Sequence, residues 1–131
     1  MTEWLIPCNP AYYNVDGAFA KLKKLNWKQT SPKMEVGDSV YIYVSNPVRA
    51  VRFKCKVGKV NLNARVIDDS EFILNGDSYE VFQRQMELEL LRTYSDELTA
   101  EILAQNGVKG RIQRPRRIQT ELEAYLTEHQ L

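Results

Sequence analysis

The stretch EVGDSVYIYVSNPVRAVRFKCKVG, residues 35–58, predicts two consecutive β-strands and sets the fold class. A Gly-Asp turn precedes the first strand, residues 39–45, which is rich in β-branched and aromatic side chains. In the second strand apolar residues alternate with basic ones, which indicates a half-buried strand with one apolar and one basic face. The apolar positions are Val51, Phe53, Cys55 and Val57, and the cations between them are Arg52, Lys54 and Lys56.

The segments on either side predict further strands and a helix. Glu3–Cys8 is typical of a short strand, and Asn14 or Asp16 is positioned to cap a helix after it. Asn75-Gly76-Asp77 predicts a turn. Residues 79–94 then predict a long strand, because apolar and polar residues alternate along much of it.

Two helices are predicted towards the C-terminal end. Ser95 is positioned to cap a helix that ends near Asn106, and Pro115 is typical of the first position of a helix. The apolar residues after Pro115 follow the spacing of one helix face: Ile118, Leu122, Tyr125 and Leu126. Short strands, polar turns and a few helices predict one α+β domain over residues 1–131, a bent antiparallel sheet or barrel with flanking helices.

Charge is distributed unevenly along a chain of otherwise ordinary globular composition. Its residues are 44% hydrophobic and 27% charged. The net charge is +6 over residues 1–60, −7 over residues 61–107 and +2 over residues 108–131. This segregation favours a basic face on the folded protein. The alternative, that folding mixes these segments on the surface, stays open.

Cysteine usage and hydropathy predict the compartment. Cys8 and Cys55 lie far apart and form no CxxC pair, which argues against a disulfide scaffold and suits a reducing cytoplasm. The N-terminal residues do not resemble a signal peptide, and the apolar runs are too short to span a bilayer. We therefore expect a cytoplasmic protein without membrane association.

The residue types most used in catalysis are scarce. His129 is the single histidine and lies near the C-terminus, which disfavours Ser-His-Asp and Cys-His catalysis and the usual zinc sites. Neither a GxGxxG nor a GxxxxGK[ST] motif is present. We expect a binding module rather than an enzyme, with no metal and no cofactor. Catalysis by Cys8 or by paired carboxylates remains an alternative.

Aromatic and basic residues interleave in the first third of the chain. Aromatic rings stack on nucleic-acid bases and cations attract phosphates, so the pattern favours nucleic-acid binding, while most of the aromatics are also expected in the core. Tyr41 and Tyr43 share one face of their strand, and Val40, Ile42 and Val44 share the other. The aliphatic set predicts core, and the tyrosines form either a second core layer or a pocket lining.

Five cationic side chains lie within nine residues near the start of the last predicted helix. They are Lys109, Arg111, Arg114, Arg116 and Arg117. Arginines beside a helix start suit a phosphate. The alternative, held equally open, is that some of them pair with the acidic segment 61–107.

The order and spacing of several motifs resemble the EVE domains of the PUA-like superfamily. The matching segments are WLIPCNP (4–10), Trp27, VGDSVYIYVS (36–45) and PRRIQTEL (115–122). They are similar to the family's opening Trp-containing strand, its second Trp, its Gly-Asp turn and strand, and its closing helix. The resemblance is greatest to EVE-like modules that precede HNH nuclease domains in some bacterial proteins.

This resemblance implies a PUA-like β-barrel that holds a modified base without catalysis. Carried over by position, the implied base-binding residues are Trp4, Asn9, Trp27, Tyr43 and Ser45, with the rings sandwiching a flipped base and the polar groups reading its edge. Two features depart from the family pattern. Residues 28–32, KQTSP, replace its Asp-Gly and Arg-Asn pairs, and Val44 stands at the usual His.

The leading hypothesis is thus a DNA- or RNA-binding module that recognises a modified base. Its predicted phosphate contacts are Arg114, Arg116 and Arg117, then Arg52, Lys54 and Lys56. The resemblance also suggests a separately encoded nuclease as a partner. The alternative function is a protein-interaction or regulatory domain on the same fold, with the acidic segment 61–107 as its contact surface.

Overall fold

A computed structural model describes residues 1–64, 66–74 and 84–131, in which the strands form a single six-stranded sheet. The order across the sheet is β2-β5-β4-β3-β1-β6. The strands are β1 Glu3–Cys8, β2 Lys24–Lys28, β3 Ser39–Val44, β4 Ala50–Leu62, β5 Gln85–Thr93 and β6 Arg116–Arg117. The helices are α1 Val15–Lys21, α2 Ala100–Gln105 and α3 Thr120–Glu128, with a 3-10 turn at Ser70–Phe72.

The sheet is open and mixed, which differs from the predicted antiparallel barrel. β2 and β6 lie at its two edges, and β1 pairs with β3 in parallel, with Trp4 opposite Val40 and Cys8 opposite Val44. A parallel pair needs a crossover connection of about a dozen residues or more. The chain supplies one, since α1 and β2 lie between β1 and β3.

Each face of the sheet buries a separate apolar core. The first core lies against α1 and contains both tryptophans, and the second lies against α2 and α3. In β3 the alternation divides the residues as predicted: Val40, Ile42 and Val44 join the first core, and Tyr41 and Tyr43 join the second. The tyrosines therefore do form a second core layer.

A β-bulge at Arg52 changes the face that β4 presents. Ile42 pairs with Phe53, whereas Tyr43 pairs with Val51, so Arg52 is an extra residue between them. Phe53 packs in the first core and Val51 in the second. The strand was predicted correctly, but strict alternation placed Val51 on the wrong face.

Side-chain capping explains where the helices begin. Asn14 caps α1 as predicted, with its Oδ1 accepting a hydrogen bond from Gly17 N at 3.0 Å. Thr99 caps α2 instead of Ser95. The carboxylate of Glu97 accepts hydrogen bonds from the backbone N–H groups of Ser95 and Asp96, which holds these residues outside a helix.

The last helix begins at Thr120 rather than at Pro115. Residues 116 and 117 are extended and pair with Leu5 and Trp4 of β1, so they cannot be helical. The predicted turn at residues 75–77, and the first part of the strand predicted over residues 79–94, lie outside the described residues. No helix in the described segments has both the length and the apolar character needed to cross a membrane.

A buried carboxylate joins the start of β1 to the turn before β3. Asp38 is 1% exposed. Its Oδ1 accepts a hydrogen bond from Thr2 N, and its Oδ2 accepts from Trp4 Nε1 and Glu35 N, each at 3.0 Å. Burial by itself would raise the pKa of Asp38, but these hydrogen bonds outweigh it and hold the pKa below its usual value. The group is therefore ionised at neutral pH.

We expect Asp38→Asn to lower the free energy of unfolding at pH 7 by about 2 kcal/mol, because an amide leaves buried N–H donors without an acceptor. A lowered folded-state pKa stabilises the fold above the ordinary aspartate value of about 3.9, and this contribution is lost as the pH falls through the lowered pKa. The difference between wild type and Asp38→Asn should therefore shrink between pH 7 and pH 3.

Urea unfolding at the two pH values measures this difference. Asp96→Asn, at an exposed position, is the matched control and should leave stability unchanged. A difference that stays constant with pH would show that the Asp38 charge does not stabilise the fold.

Candidate functional site

A pocket of about 590 Å³ lies where β3 ends, and we call it the β3–α2 pocket. Its walls come from the end of β3 and the turn after it, from α2, and from the loop 108–113. Its volume is typical of small-molecule and cofactor sites. The lining residues are Tyr43, Ser45, Asn46, Arg49, Ala100, Ala104, Val108, Gly110, Arg111, Ile112 and Gln113.

The apolar part of this pocket continues the second core. Tyr43 is buried in that core, yet its side chain also reaches the pocket. Ala100 and Ala104 are one helical turn apart on α2 and leave room beside the helix, since neither side chain extends beyond a methyl group. Val108 and Ile112 supply aliphatic surface from the loop.

Most polar side chains of the pocket have no partner within the described residues. The Tyr43 hydroxyl, the Asn46 and Gln113 amides and the Arg111 guanidinium make no hydrogen bond or ion pair there. Ser45 donates its hydroxyl to the Cys8 carbonyl at 3.3 Å and keeps its lone pairs. The pocket thus presents unused donors and acceptors beside apolar walls.

Arg49 lies at the rim in a strained backbone conformation. Its φ is 53°, in the left-handed region that non-glycine residues rarely adopt. The Ala100 N–H donates to the Arg49 carbonyl at 2.9 Å, which fixes the turn against α2. The side chain approaches Glu101 at 3.8 Å, but both groups are more than half exposed, so this ion pair contributes little.

Arg116 fixes the loop that walls the pocket. Its guanidinium donates to the Lys109 and Arg111 carbonyls, each at 3.0 Å. A planar guanidinium suits two acceptors at once. Arg116 was predicted to contact phosphate, but two of its N–H donors make hydrogen bonds within the protein.

The two tryptophans predicted to stack on a base lie on the opposite face of the sheet from Tyr43. Trp27 is 9% exposed in β2 and makes an edge contact with Tyr13, with ring centroids 5.6 Å apart. Trp4 is 5% exposed and donates its N–H to Asp38. The predicted sandwich by Trp and Tyr is therefore not formed.

Of the five predicted base-binding residues, the structure brings Tyr43 and Ser45 together in one pocket. Asn9 is exposed, and its Oδ1 accepts from Ala11 N at 2.9 Å in a local turn. It does not line the β3–α2 pocket.

The strand cations predicted as secondary phosphate contacts have different surroundings. Arg52 donates to the Tyr94 carbonyl at 2.9 Å and lies 3.9 Å from Asp16. Lys54 lies over the ring of Tyr41. Lys56 is exposed and has no ion pair within the described residues.

The C-terminal cations divide between the two faces of β6. Arg116 pairs with Leu5, whose side chain belongs to the second core, while Arg117 pairs with Trp4 and lies 5.4 Å from its ring. Arg114 is exposed. Among described residues, none of the five cations of this segment forms an ion pair with a carboxylate, so the predicted alternative of pairing with the acidic segment is not observed.

Four carboxylates of the acidic segment instead pair with other lysines and arginines: Glu71, Glu87, Glu89 and Glu101. Glu71 pairs with Lys21 at 2.6 Å, and Glu87 lies within 4 Å of Lys24 and Lys59. Such pairing reduces the negative field that this segment would offer to a partner protein.

The described residues offer little chemistry for a nucleophile or a metal. Cys8 is 3% exposed, and burial followed by the nearby Asp16 charge raises the pKa of its thiol to about 12. Burial also raises the pKa of Cys55. No cluster of metal-ligating side chains occurs within residues 1–64, 66–74 and 84–131.

Sequence reasoning missed most of the pocket residues. Arg49, Asn46 and Gln113 carry no local motif, and they meet Tyr43 only through long-range folding. Arg111 was noticed for its charge alone. The spacing of Ala100 and Ala104 was the available signal for a small-residue helix face.

Comparison with known proteins supports the fold class. No protein-family model matches the chain, and no curated protein matches it by sequence. A structural-genomics protein from Pseudomonas putida shares the fold with a TM-score of 0.67 at 17% identity, over 98% of this chain and 99% of that one. ASCH from Zymomonas mobilis gives 0.66 at 14% identity, over 97% and 94%.

A hypothetical protein from Leishmania major gives a TM-score of 0.64 at 16% identity, over 98% of this chain and 94% of its own. At such identities the likeness shows the fold alone. The chain therefore shares its fold with ASCH from Zymomonas mobilis, and the predicted PUA-like superfamily stays a prediction. The finer EVE assignment stays a prediction.

We expect Arg116→Lys to loosen the loop 108–113, because one ammonium cannot replace the two-pronged guanidinium. Loss of one charge-assisted hydrogen bond, about 1.5 kcal/mol, raises local amide exchange about tenfold. Hydrogen–deuterium exchange of residues 108–113 measures this change. Arg117→Lys is the control, since lysine keeps a cation over Trp4. Equal exchange in the two variants would contradict the role given to Arg116.

Proposed function

We propose that this chain is a non-catalytic nucleic-acid-binding module that holds one unstacked base in the β3–α2 pocket. The observation that carries the proposal is the combination of apolar walls, a tyrosine and unpartnered amide and guanidinium groups in one cavity. Sequence-specific recognition of single-stranded RNA uses the same elements, with splayed bases packed on side chains and hydrogen-bonded along their edges.

The pocket has groups suited to the edge of a base. Asn46 and Gln113 each offer an amide that both donates and accepts, the arrangement that pairs with adjacent donor and acceptor atoms of a base. The hydroxyls of Tyr43 and Ser45 add two adaptable positions. Because all of these groups except the Ser45 hydroxyl lack a partner among the described residues, a ligand that binds them replaces mainly water rather than protein contacts.

Two guanidinium groups supply attraction for phosphate. Arg49 enters from the turn after β3 and Arg111 from the loop 108–113, so they stand on different walls of the pocket. Guanidinium groups bind phosphate oxygens through paired hydrogen bonds. Their placement suits a nucleotide whose base is inside and whose backbone is at the rim.

A binding role without chemistry is supported by the pocket lining. Ser45 and Tyr43 carry the hydroxyls of the lining, and its described side chains include no His, Asp, Glu or Lys that could act as a base to activate them. The buried Cys8 thiol, with its raised pKa, is unsuited to attack a substrate.

The aliphatic wall favours a base that carries a methyl group. Ala100, Ala104, Val108 and Ile112 present apolar surface, the type of surface that contacts the methyl group of thymine in protein–DNA complexes. A modified base is also what the resemblance to EVE domains implies. Both arguments favour recognition of a modified base.

We expect Arg111→Ala to weaken oligonucleotide binding about tenfold, since a charge-assisted hydrogen bond contributes about 1.5 kcal/mol or more. The slope of affinity against salt should also fall by about one counterion. Fluorescence anisotropy at two salt concentrations, with methylated and unmodified DNA and RNA, measures both quantities. Lys33→Ala, at an exposed position outside the pocket, is the matched control. If Arg111→Ala and Lys33→Ala changed oligonucleotide affinity equally, the proposal would be contradicted.

We expect Arg49→Gly to weaken binding several-fold while stability stays the same or rises by up to about 1 kcal/mol, because glycine relieves the positive φ. Arg49→Lys keeps the charge and the strained backbone, and separates the two effects. Urea unfolding and anisotropy on the same preparations measure them. A variant that is more stable and binds as wild type would show that Arg49 does not contact the ligand.

A further inference from the structure

A second concavity lies on the other side of the loop that walls the β3–α2 pocket. We call it the α3-side pocket, and its volume is about 390 Å³. Leu5 and Leu122 belong to the second core and line it, and Val108 lines both pockets. One segment, residues 108–111, is therefore the partition between the two.

We call Gly110 the crest of this partition. It is exposed, and hydrogen bonds to the residues beside it hold it in place. Gly110 has a φ of 73°, and a Cβ built there would meet no atom of any described residue beyond its two chain neighbours within 4 Å. On either side of it, the Lys109 and Arg111 carbonyls accept hydrogen bonds from Arg116. A ligand crossing at Gly110 meets a residue that has no side chain of its own.

The α3-side pocket has its own set of polar groups. Lys109 is exposed beside it and forms no ion pair within the described residues. Gln119 offers an amide, and Glu121 offers a carboxylate. The Glu121 side chain packs closely on Gly107, where an added Cβ would lie 3.0 Å from its Oε2. A carboxylate so placed can accept from the exocyclic amine of a base.

We propose that the ligand is a single strand that crosses the partition at Gly110 and places consecutive nucleotides on its two sides. This inference rests on the proposed function, because one base occupies the β3–α2 pocket. The next base lies in the α3-side pocket, against Leu5 and Leu122 and within reach of Glu121. Lys109 then meets the phosphate between the two nucleotides.

Two separate concavities disfavour both a free nucleotide and a duplex. A free nucleotide fills one pocket and leaves the groups of the other solvated. In a duplex each extruded base must be unpaired and unstacked, and the cost rises with a second neighbouring base. A single strand has no pairing to break, and its bases are already accessible.

The test compares one nucleotide in three contexts: as a mononucleotide, within a short single strand, and within a duplex of the same sequence. All are measured at one salt concentration by competition against a labelled strand. The single strand should bind at least tenfold more tightly than the mononucleotide and than the duplex. Lys109→Ala should lower strand affinity about tenfold and mononucleotide affinity less.

Gly110→Asn provides a second variant, since asparagine tolerates a positive φ and places a side chain on the open crest. It should weaken strand binding more than mononucleotide binding, while Lys33→Ala changes neither. Duplex binding as tight as strand binding, or strand binding unaffected by both variants, would overturn the crossing. If the crossing were overturned but Arg111→Ala still weakened binding, the proposed base pocket would remain supported. Failure of every ligand to bind would overturn the base pocket itself.

Discussion

The parallel pairing of β1 with β3 depends on the buried carboxylate of Asp38. Its oxygens accept hydrogen bonds from both strands' entry segments, Thr2 and Trp4 on one side and Glu35 on the other. These bonds fix the register in which Trp4 lies opposite Val40. A slip by one residue would exchange the two faces of β1 and move Trp4 from the first core to the face of the second. The division of the molecule into two cores thus follows from this register.

The same register places Tyr43 where it serves both the second core and the pocket. β6 pairs with β1 only at Trp4 and Leu5 among the described residues. Beyond that point the chain passes as a loop, and Arg116 holds this loop through its carbonyls. The pocket forms between this loop, α2 and the end of β3. Its position is a consequence of strand pairing and not of any local motif.

The sequence predicted the elements better than their arrangement. Alternation identified β3 and β4, and Asn14 identified the start of α1, because these signals are local. No local sequence feature predicts the bulge at Arg52, which places Val51 in the second core instead of the first. The cationic segment looked like one patch in sequence, yet β-pairing sends neighbouring residues to opposite faces. Pocket residues from three separate segments could not be assembled without knowing which strands pair.

Burial of both tryptophans changes how a base must be recognised. An indole sandwich would supply stacking energy of about 1–3 kcal/mol per base with little preference for sequence. The β3–α2 pocket instead offers a single tyrosine, small aliphatic side chains and several unpaired hydrogen-bonding groups. Discrimination in such a site comes from the cost of covering these polar groups with a base that leaves them without hydrogen bonds. One pocket then gives only modest affinity. Contacts to the neighbouring nucleotide must supply the remaining binding free energy. The proximity of a second concavity, across a partition only a few residues wide, fits that requirement.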